Sequence, residues 1–234
     1  MNKKCARCKI EFDNKYPKQK FCSILCSNRH NLNHKNIFKK PSRYSNELAE
    51  LFGILLGDGS VEKYYVKIYL NMIADKGYTR NITRLITSAL PGVKPSIHIR
   101  KERGTEEVQI SCTDVCDYFK SLGFNPQKRI VPGWITENQT FTKRTLRGLF
   151  DTEGSIGIKR FVGKNNLHIY KQLTFTNKNK DILQFVVNSL SNLGFSPTKT
   201  SRYNIYISNR KDIERYFNLI GTSNPKLEKK MKIK

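Results

Sequence analysis

The chain has 234 residues, enough for one or two domains. Its formal net charge is +24, from 43 Lys and Arg against 19 Asp and Glu, and this charge is spread along the chain, which favours nucleic acid over a membrane surface as the partner. No apolar run approaches the ~20 residues of a spanning helix, and the N-terminus lacks the apolar region of a secretory signal. We therefore expect an intracellular protein without a membrane partner, in a compartment that keeps thiols reduced.

Four of the six cysteines lie near the N-terminus, as two short-spaced pairs. The pairs are Cys5 with Cys8, and Cys22 with Cys26. This spacing supplies the four thiolates of a tetrahedral zinc site, and a segment this short needs metal to fold because it cannot bury a core of its own. Residues 21–30 also resemble the second half of a treble-clef zinc finger. We predict one structural Zn²⁺ in a small domain spanning residues 1–38, with His30 and His34 as alternative ligands.

A basic, polar linker at 39–44 leads into the first half of the remaining chain, residues 45–133. Ser45 or Asn46 can cap a helix that runs to about Gly57. Beyond this helix the hydrophobic period changes to two, which predicts strands. The later elements predicted for this half are a strand at 65–71, a helix at 75–90, strands at 95–103 and 106–112, and a helix at 113–122.

The second half, residues 142–234, repeats this order after a linker at 134–141. Its predicted elements are a helix at about 142–153, strands at about 155–162 and 167–177, a helix at 179–194, strands at 197–203 and 204–209, and a helix at 210–220. Each half is therefore an αββαββα unit with a four-stranded antiparallel sheet. The predicted fold class is α+β, with a small zinc-binding domain in front of two pseudo-symmetric halves.

In each predicted sheet the alternation turns apolar side chains such as Ile97 and Ile99 toward the helices and polar side chains outward. Long polar and aromatic side chains on a sheet suit the reading of base edges in the major groove of DNA. Any one of them can equally belong to an ordinary solvated face. The predicted DNA-binding residues are Tyr65, Lys67, Tyr69, Asn71, His98, Arg100, Gln109, Lys159, Tyr170, Gln172, Thr174 and Tyr206.

A nine-residue pattern occurs twice, and each copy ends in an acid followed by a glycine. The copies are LFGILLGDG at 51–59 and LRGLFDTEG at 146–154. Each has small residues four positions apart, which let two helix backbones approach closely. These pairs are Gly53 with Gly57, and Gly148 with Thr152. The simplest partner for each of the two helices is the other copy.

Side-by-side parallel packing of these helices brings Asp58 and Glu153 together at the two C-terminal ends. Carboxylates are unfavourable there, against both the helix dipole and each other, and hard cations such as Mg²⁺ neutralise such a pair. Two metals between paired carboxylates can activate a water and stabilise the leaving oxygen in phosphodiester hydrolysis. The alternative is that both acids merely end their helices.

The duplicated motif resembles that of the LAGLIDADG homing endonucleases, in the monomeric form with two motifs in one chain, and the resemblance covers residues 45–234. It implies two halves around a central helix pair, saddle-shaped sheets over double-stranded DNA, and Mg²⁺-dependent double-strand cleavage with two or more Mg²⁺ ions. It makes Asp58 and Glu153 the catalytic, metal-binding acids. The lysine that assists the reaction in this family matches Lys128 and Lys226 best, on short local similarity alone. Asp151, within the second motif, is interpreted as structural.

Three other functions stay open. The first is a sequence-specific DNA-binding regulator of the same fold that has lost cleavage, although the intact Asp58 and Glu153 argue against it. The second is an RNA-splicing maturase, with which the basic surface is compatible. The third is a plain zinc-finger DNA-binding module, which leaves the duplicated acids unexplained. Because the chain lacks the terminal residues of protein splicing, we expect a free-standing or intron-encoded enzyme. It would act as a monomer in the nucleoid or cytoplasm of a prokaryotic or phage-infected cell, or in an organelle.

Overall fold

The structure, a computed structural model, describes a large part of the chain. The described residues are 2–27, 38–162, 167–198 and 202–233, without the side chains at 159, 161, 162, 167 and 168. His30, His34 and the side chain of Lys159, all named above, lie outside the described residues. The chain divides into two compact units, Met1–Ile37 and Phe38–Lys234. No helix in the described part of the chain is long and apolar enough to cross a membrane.

The N-terminal unit contains a two-stranded antiparallel ribbon, β1 (Asn2–Lys4) and β2 (Glu11–Asp13). A hydrogen bond from the Cys5 N–H to the Ile10 carbonyl (2.9 Å) closes the turn between the strands. Lys9 takes a left-handed conformation in that turn, with φ of 64°. Residues 24–27 are helical. The first cysteine pair therefore lies in the turn of the ribbon, and the second pair flanks the start of a helix.

The first half of the larger unit begins with α1 (Asn46–Asp58). The Ser45 side chain accepts a hydrogen bond from the Leu48 N–H (3.1 Å), so the predicted N-cap is confirmed. The later elements are β3 (Gly59–Val61), β4 (Val66–Asn71), α2 (Tyr78–Ala89), β5 (Ser96–Arg100), β6 (Thr105–Ile110) and α3 (Thr113–Ser121). The four strands pair antiparallel in the order β3-β4-β6-β5.

In its described residues the second half repeats this plan with three paired strands instead of four. Its elements are α4 (Gly133–Thr136), α5 (Gln139–Glu153), β7 (Gly154–Val162), β8 (Leu167–Thr176), α6 (Lys180–Asn192), β9 (Asn204–Ile207), α7 (Arg210–Leu219) and α8 (Pro225–Lys232). The predicted strand at 197–203 is wrong for the residues that the structure describes there. Thr198 makes only an isolated bridge to Tyr206, and the sheet has the order β7-β8-β9. Pro197 has no N–H to donate, which limits ladder formation at this edge.

Ile97 and Ile99 lie on the predicted inner face of the sheet, but the burial expected of them there is wrong. Ile97 pairs with the buried Val108 and lies on the same sheet face, yet Ile97 and Ile99 are 47% and 57% exposed. The reason is position, because β5 is the edge strand of its sheet. Alternation predicts the face on which a side chain lies, but it does not predict how far the packed helices extend over that face.

The hydrophobic core lies between the central helices and the inner faces of the two sheets. Every residue of α1 from Leu48 to Gly57 is buried. Alternating residues of β4 and β8 pack on the helices from either side, and they include Val66, Ile68, Leu70, Leu173 and Phe175. Each sheet is thereby covered on one face and open on its polar face. The predicted α+β class is confirmed.

Candidate active site

Helices α1 and α5 are in backbone contact, as the spacing of their small residues predicts. A Cβ atom added at Gly53 would overlap the Thr145 carbonyl oxygen, and one added at Gly148 would overlap the Glu50 carbonyl oxygen. The Thr145 hydroxyl donates across the interface to the Ala49 carbonyl (3.0 Å). Close packing of this kind leaves no space for a side chain at either glycine, so the sequence fixes how near the helices come.

Asp58 and Glu153 are the last residues of these two helices, and both are partly buried. Burial, followed by the negative charge of Asp58, raises the pKa of Glu153 to about 7, although the charges of Arg129 and Lys226 act in the opposite direction. Burial also raises the pKa of Asp58, followed by the charge of Asp75. The two acids therefore share one electrostatic environment at the point where the helices end.

Glu153 has a direct hydrogen-bond partner from the second half. The Asn177 side-chain amide donates to Glu153 Oε1 at 3.1 Å. Asn177 follows β8 directly, and its own side-chain oxygen accepts from the Asn179 N–H (2.8 Å) at the start of α6. The amide is thus held by the local turn, and it fixes one oxygen of the carboxylate.

Arg129 is a cation of this site that the sequence analysis missed. Its guanidinium donates to the carbonyls of Leu56 (2.8 Å), Gly57 (2.7 Å) and Gly59 (3.1 Å), and thereby caps the C-terminus of α1. The same charge lowers the pKa of both acids. Its neighbour Lys128, the predicted assisting lysine of this half, is exposed, and its carbonyl accepts from Asn179 (2.8 Å). The choice of Lys128 rests on the similarity of residues 121–128 to residues 219–226. That similarity does not indicate which of the two adjacent cations, Lys128 or Arg129, faces the acids.

Lys226, the other predicted lysine, lies at the start of α8 and is mostly buried. Its Nζ atom is 3.1 Å from Asp75 Oδ1, and its charge lowers the pKa of both Asp58 and Glu153. Asp75 was not predicted. It follows β4, is 8% exposed, and accepts from the Asn71 N–H (3.0 Å) and the Asn224 side-chain amide (2.9 Å). The site therefore contains a third carboxylate, that of Asp75. This residue belongs to the first half of the chain and pairs with Lys226 of the second half.

Asp151 is fully buried two residues before Glu153 in α5, and its contacts agree with the structural interpretation. Its carboxylate accepts from the Ser223 N–H (2.9 Å) and hydroxyl (2.7 Å), and from the Thr222 hydroxyl. The Tyr78 hydroxyl donates to it from α2 (3.3 Å). Burial raises the pKa of this carboxyl, and the hydrogen bonds from Thr222 and Ser223 oppose that rise. Asp151 thus anchors the loop that precedes α8, and with it the position of Lys226.

In the N-terminal unit the four predicted zinc ligands converge. The Sγ atoms of all four cysteines lie within 4.8 Å of one another, and Cys22 Sγ is 3.6 Å from the Sγ atoms of Cys8 and Cys26. Ligands of a tetrahedral Zn²⁺ with bonds of about 2.3 Å are about 3.8 Å apart, so this donor set fits one zinc ion. Hydrogen bonding with the neighbouring thiols of Cys26 and then Cys8 raises the pKa of Cys22 to about 12.

The predicted DNA-binding residues with described side chains lie on the open faces of the two sheets or at their edges. In the first half, Lys67 lies 4.8 Å above the Tyr65 ring, Tyr69 is 39% exposed and Gln109 donates to Ser111. Asn71 instead caps the turn after β4, where its oxygen accepts from two backbone N–H groups. His98 contacts the Ser96 hydroxyl (3.1 Å) on β5.

In the second half the open face has fewer charged groups among the described side chains. Tyr170 is 59% exposed, Gln172 donates to the Ser208 hydroxyl (2.9 Å), and Thr174 pairs across the strands with Tyr206.

The remaining candidate of the first half is Arg100 on β5. It contacts Glu107, an acid that was not predicted as part of this surface (3.5 Å).

Comparison with known proteins agrees with this fold. Residues 140–221 match the model of the LAGLIDADG-like domain. The chain superposes on the homing endonuclease I-DmoI in complex with DNA and Ca with a TM-score of 0.53 at 22% identity, over 77% of this chain and 93% of that one. It superposes on the homing endonuclease I-WcaI bound to its DNA recognition sequence with a TM-score of 0.55 at 20% identity, over 94% and 96%.

The fold is shared more widely. The N-terminal LAGLIDADG domain of DUF199/WhiA superposes with a TM-score of 0.52 at 17% identity, over 76% of this chain and 83% of that one. Among curated proteins, the uncharacterised protein MJ0314 of Methanocaldococcus jannaschii is 25% identical over 178 residues, 72% of this chain. The replication factor C small subunit of the same organism is 25% identical over 212 residues, 82% of this chain. The chain spans 64% of the length of the first relative and 11% of the second.

Residues 140–221 carry a LAGLIDADG-like domain, and the fold with its paired motif helices is the one seen in the LAGLIDADG structures named above. The resemblance seen in the duplicated motif is thereby confirmed, and the second half carries the LAGLIDADG-like domain.

Proposed function

We propose that this chain is a site-specific homing endonuclease that makes Mg²⁺-dependent double-strand breaks in DNA by phosphodiester hydrolysis. The observation that carries the proposal is the meeting of Asp58 and Glu153 at the ends of two helices in backbone contact, beside the cations Arg129 and Lys226. A purely structural role does not explain two partly buried acids that each raise the free energy of the folded chain when ionised.

The donor set of this site fits a hard cation. Burial raises the pKa of Asp58 and Glu153, and the charge of Asp58 raises that of Glu153 further, so a divalent ion bound by their oxygens would relieve both effects. Asp58 and Glu153 are the residues that would hold Mg²⁺. Bound there, the ion would supply a water of lowered pKa and charge stabilisation for the leaving oxygen.

The other residues of the site position groups and stabilise charge. Asn177 fixes one oxygen of Glu153 through its hydrogen bond. Arg129 and Lys226 come from opposite halves and bring positive charge toward both acids, where a scissile phosphate would carry its negative charge. Arg129 is already held by three carbonyls, so it can act without rearrangement.

Double-stranded DNA is the proposed substrate, bound by a monomer. The net charge of +24 favours contact with many phosphates, and two open polar sheet faces suit the major groove. The structures of I-DmoI and I-WcaI, which share the fold, contain DNA. The cysteine unit would add a zinc-stabilised contact that extends the DNA footprint.

A DNA-binding regulator without cleavage is the second candidate. The structural similarity to the DUF199/WhiA domain favours this candidate, because that domain has the same fold and is not named as a homing endonuclease. The fold alone therefore does not separate the two functions, and the acids have to be tested directly.

The experiment has two stages. The full chain first selects its site from a random double-stranded library in Ca²⁺, and a supercoiled plasmid carrying that site is then incubated with Mg²⁺. We expect linear product from the wild type, and intact binding without product from Asp58→Asn and Glu153→Gln. Site selection with no cleavage by the wild type would favour the regulator, and full linearisation by the double variant would refute the assigned acids.

A further inference from the structure

Glu107 is an acid on the open face of the first sheet, where DNA is proposed to lie. It is on the inner strand β6, opposite Tyr69 of β4 on one side and His98 of β5 on the other. Alternation puts it on the same face as Lys67 and Gln109, since Val108 and Ile110 of this strand are buried in the core. Despite this position Glu107 is only 5% exposed.

Two predicted DNA-binding cations cover this carboxylate. Lys67 Nζ of β4 lies 3.5 Å from Glu107 Oε2, and Arg100 Nε of β5 lies 3.5 Å from Glu107 Oε1. Both distances exceed the ~2.8 Å of a strong charged hydrogen bond, and Glu107 Oε2 has no hydrogen bond among the described residues. The three charges therefore form a cluster across three strands, held together by charge and register.

Among the described residues, the second sheet lacks the acid and the lysine of this cluster at the equivalent positions. The register places Gly59, Ile68 and Val108 in one row and Gly154, Phe175 and Ile205 in the equivalent row. By that equivalence the counterpart of Glu107 is Asn204, and the counterpart of Lys67 is Thr174. Asn204 Oδ1 accepts a hydrogen bond from the Thr176 hydroxyl at 2.6 Å. The two halves thus differ in charge at the same place on otherwise equivalent sheets.

An acid on a DNA-facing surface opposes the phosphates, so it weakens binding to DNA of any sequence. It also restrains Lys67 and Arg100, whose long side chains would otherwise be free to move toward nearby phosphates. Restrained above the sheet, an arginine and a lysine present donors to the major groove. The base edge that accepts from these side chains is guanine, through its O6 and N7 atoms.

We propose that Glu107 is a specificity-determining positioning residue. It holds Lys67 and Arg100 so that they read guanine in the part of the target under the first sheet, and it lowers affinity for DNA of other sequence. This inference rests on the proposed function insofar as that function requires site-specific DNA binding. It does not depend on cleavage.

The test uses selection from a random double-stranded DNA library by the full chain in Ca²⁺, followed by affinity measurements in a salt series. Positions that lose their guanine preference in Lys67→Met mark the bases under the first sheet. In Glu107→Gln we expect the guanine preference at those positions to fall about tenfold. Affinity for unrelated DNA should rise a few-fold, and the log–log salt slope should steepen by about one.

Glu106→Gln is the matched control, because it makes the same charge change on the same strand but on the opposite face. Glu106 accepts from the Thr79 hydroxyl (2.5 Å), and a glutamine oxygen can keep that bond. We expect the selected site of this variant to equal that of the wild type. Equal behaviour of Glu106→Gln and Glu107→Gln would overturn the inference, as would a uniform affinity change in Glu107→Gln without a change of base preference.

If Glu107→Gln does not fold, as thermal melting would reveal, Arg100→Lys provides the second test. It keeps the charge and removes the guanidinium fork, so guanine preference should fall while the salt slope stays unchanged. An unchanged preference would overturn the inference. Selection of no site by the wild type would instead refute the proposed function itself, and with it the basis for this role of Glu107.

Discussion

Lys226 Nζ and Asp75 Oδ1 lie 3.1 Å apart, although the lysine belongs to the second half of the chain and the aspartate to the first. Asn224 donates to the same Asp75 oxygen (2.9 Å) and also accepts from the Lys226 N–H (2.9 Å), so the contact is part of a fixed turn. The charge that faces Asp58 and Glu153 from the second half is therefore held in place by the first half. Each half alone would have an incomplete site.

Asp75→Asn should therefore slow cleavage without weakening DNA binding. The asparagine can still accept from the Asn71 N–H, but it no longer pairs with Lys226, so the lysine loses its fixed position. A loss of about 10–100-fold in single-turnover rate is expected, as for other residues that orient a reactive group. Combined with Lys226→Met, the two effects should be strongly non-additive.

The control for this prediction is Asp117→Asn, which removes an exposed acid of α3 whose partner is Lys120 at 3.9 Å. That variant should cleave at the wild-type rate. Equal rates for Asp75→Asn and the wild type, or additive effects with Lys226→Met, would show that the pair is not part of the site.

Arg129 and Lys128 should differ sharply although they are neighbours. Arg129→Lys keeps the charge but cannot donate simultaneously to the carbonyls of Leu56, Gly57 and Gly59, so both the α1 cap and the charge near the acids are disturbed. We expect the cleavage rate to fall by about 10²-fold or more, within the range for loss of a charge-stabilising donor. The cleavage rate of Lys128→Met should fall less than that of Arg129→Lys. If single-turnover assays instead show a larger loss of rate in Lys128→Met than in Arg129→Lys, Lys128 is the assisting residue, as the sequence indicates.

The sequence predicted the helix pair and its acids because both depend on local pattern. Small residues at four-residue spacing determine how close two helices can pack, and the acid at the end of each motif is carried by the helix itself. Arg129, Asp75 and Asn177 could not be predicted in the same way, since each lies in a turn after a strand or helix. Their positions depend on how the two halves dock. Glu107 was missed because an acid within a basic surface has no distinguishing local signal.

Gly148→Ala should destabilise the protein, because the added methyl group would overlap the Glu50 carbonyl oxygen and force α1 and α5 apart. Overpacking of this kind typically costs about 1–3 kcal/mol, and more where backbone must move. Gly157→Ala is the control, since its added Cβ would have only an ordinary contact, 3.9 Å from the Gln172 carbonyl oxygen. Denaturant unfolding measures both. A Gly148→Ala protein as stable as the control would mean that the helices are not in backbone contact.

The cysteine unit should bind one Zn²⁺ per chain, and Cys8→Ser with Cys26→Ser should abolish this binding. Because zinc provides the folding energy of so short a segment, the double variant should lose affinity for the selected site, while cleavage of bound DNA in Mg²⁺ proceeds at the wild-type rate. Cys112→Ser is the control for loss of a thiol elsewhere, since Cys112 is outside the cluster of four. Zinc content by metal analysis decides the matter, and full zinc binding by the double variant would contradict the ligand set.

The pH dependence of stability should reveal the buried charge of Glu153. Burial and Asp58 raise its pKa from 4.5 to about 7, so the folded chain binds more protons than the unfolded chain between these values. The contribution of this carboxyl to the free energy of unfolding is therefore fully present below about pH 4.5, and it is lost as the pH rises through 7. Glu153→Gln has no such carboxyl, so without divalent metal its Tm should rise relative to the wild type as pH increases across that window.

The measurement is thermal unfolding in EDTA at several pH values. The relevant charges around Glu153 are Asp58, Arg129 and Lys226, and Asn177 is its hydrogen-bond donor, so the matched control must leave this group intact. Glu137→Gln meets that condition, because Glu137 is an exposed residue at the end of the short helix α4. We expect the Tm difference between Glu153→Gln and the wild type to grow with pH and then level off above about 7, while that of Glu137→Gln stays flat. A difference for Glu153→Gln that does not change with pH would mean that this carboxyl has an ordinary pKa, and the argument that the paired acids call for a bound cation would lose its main support.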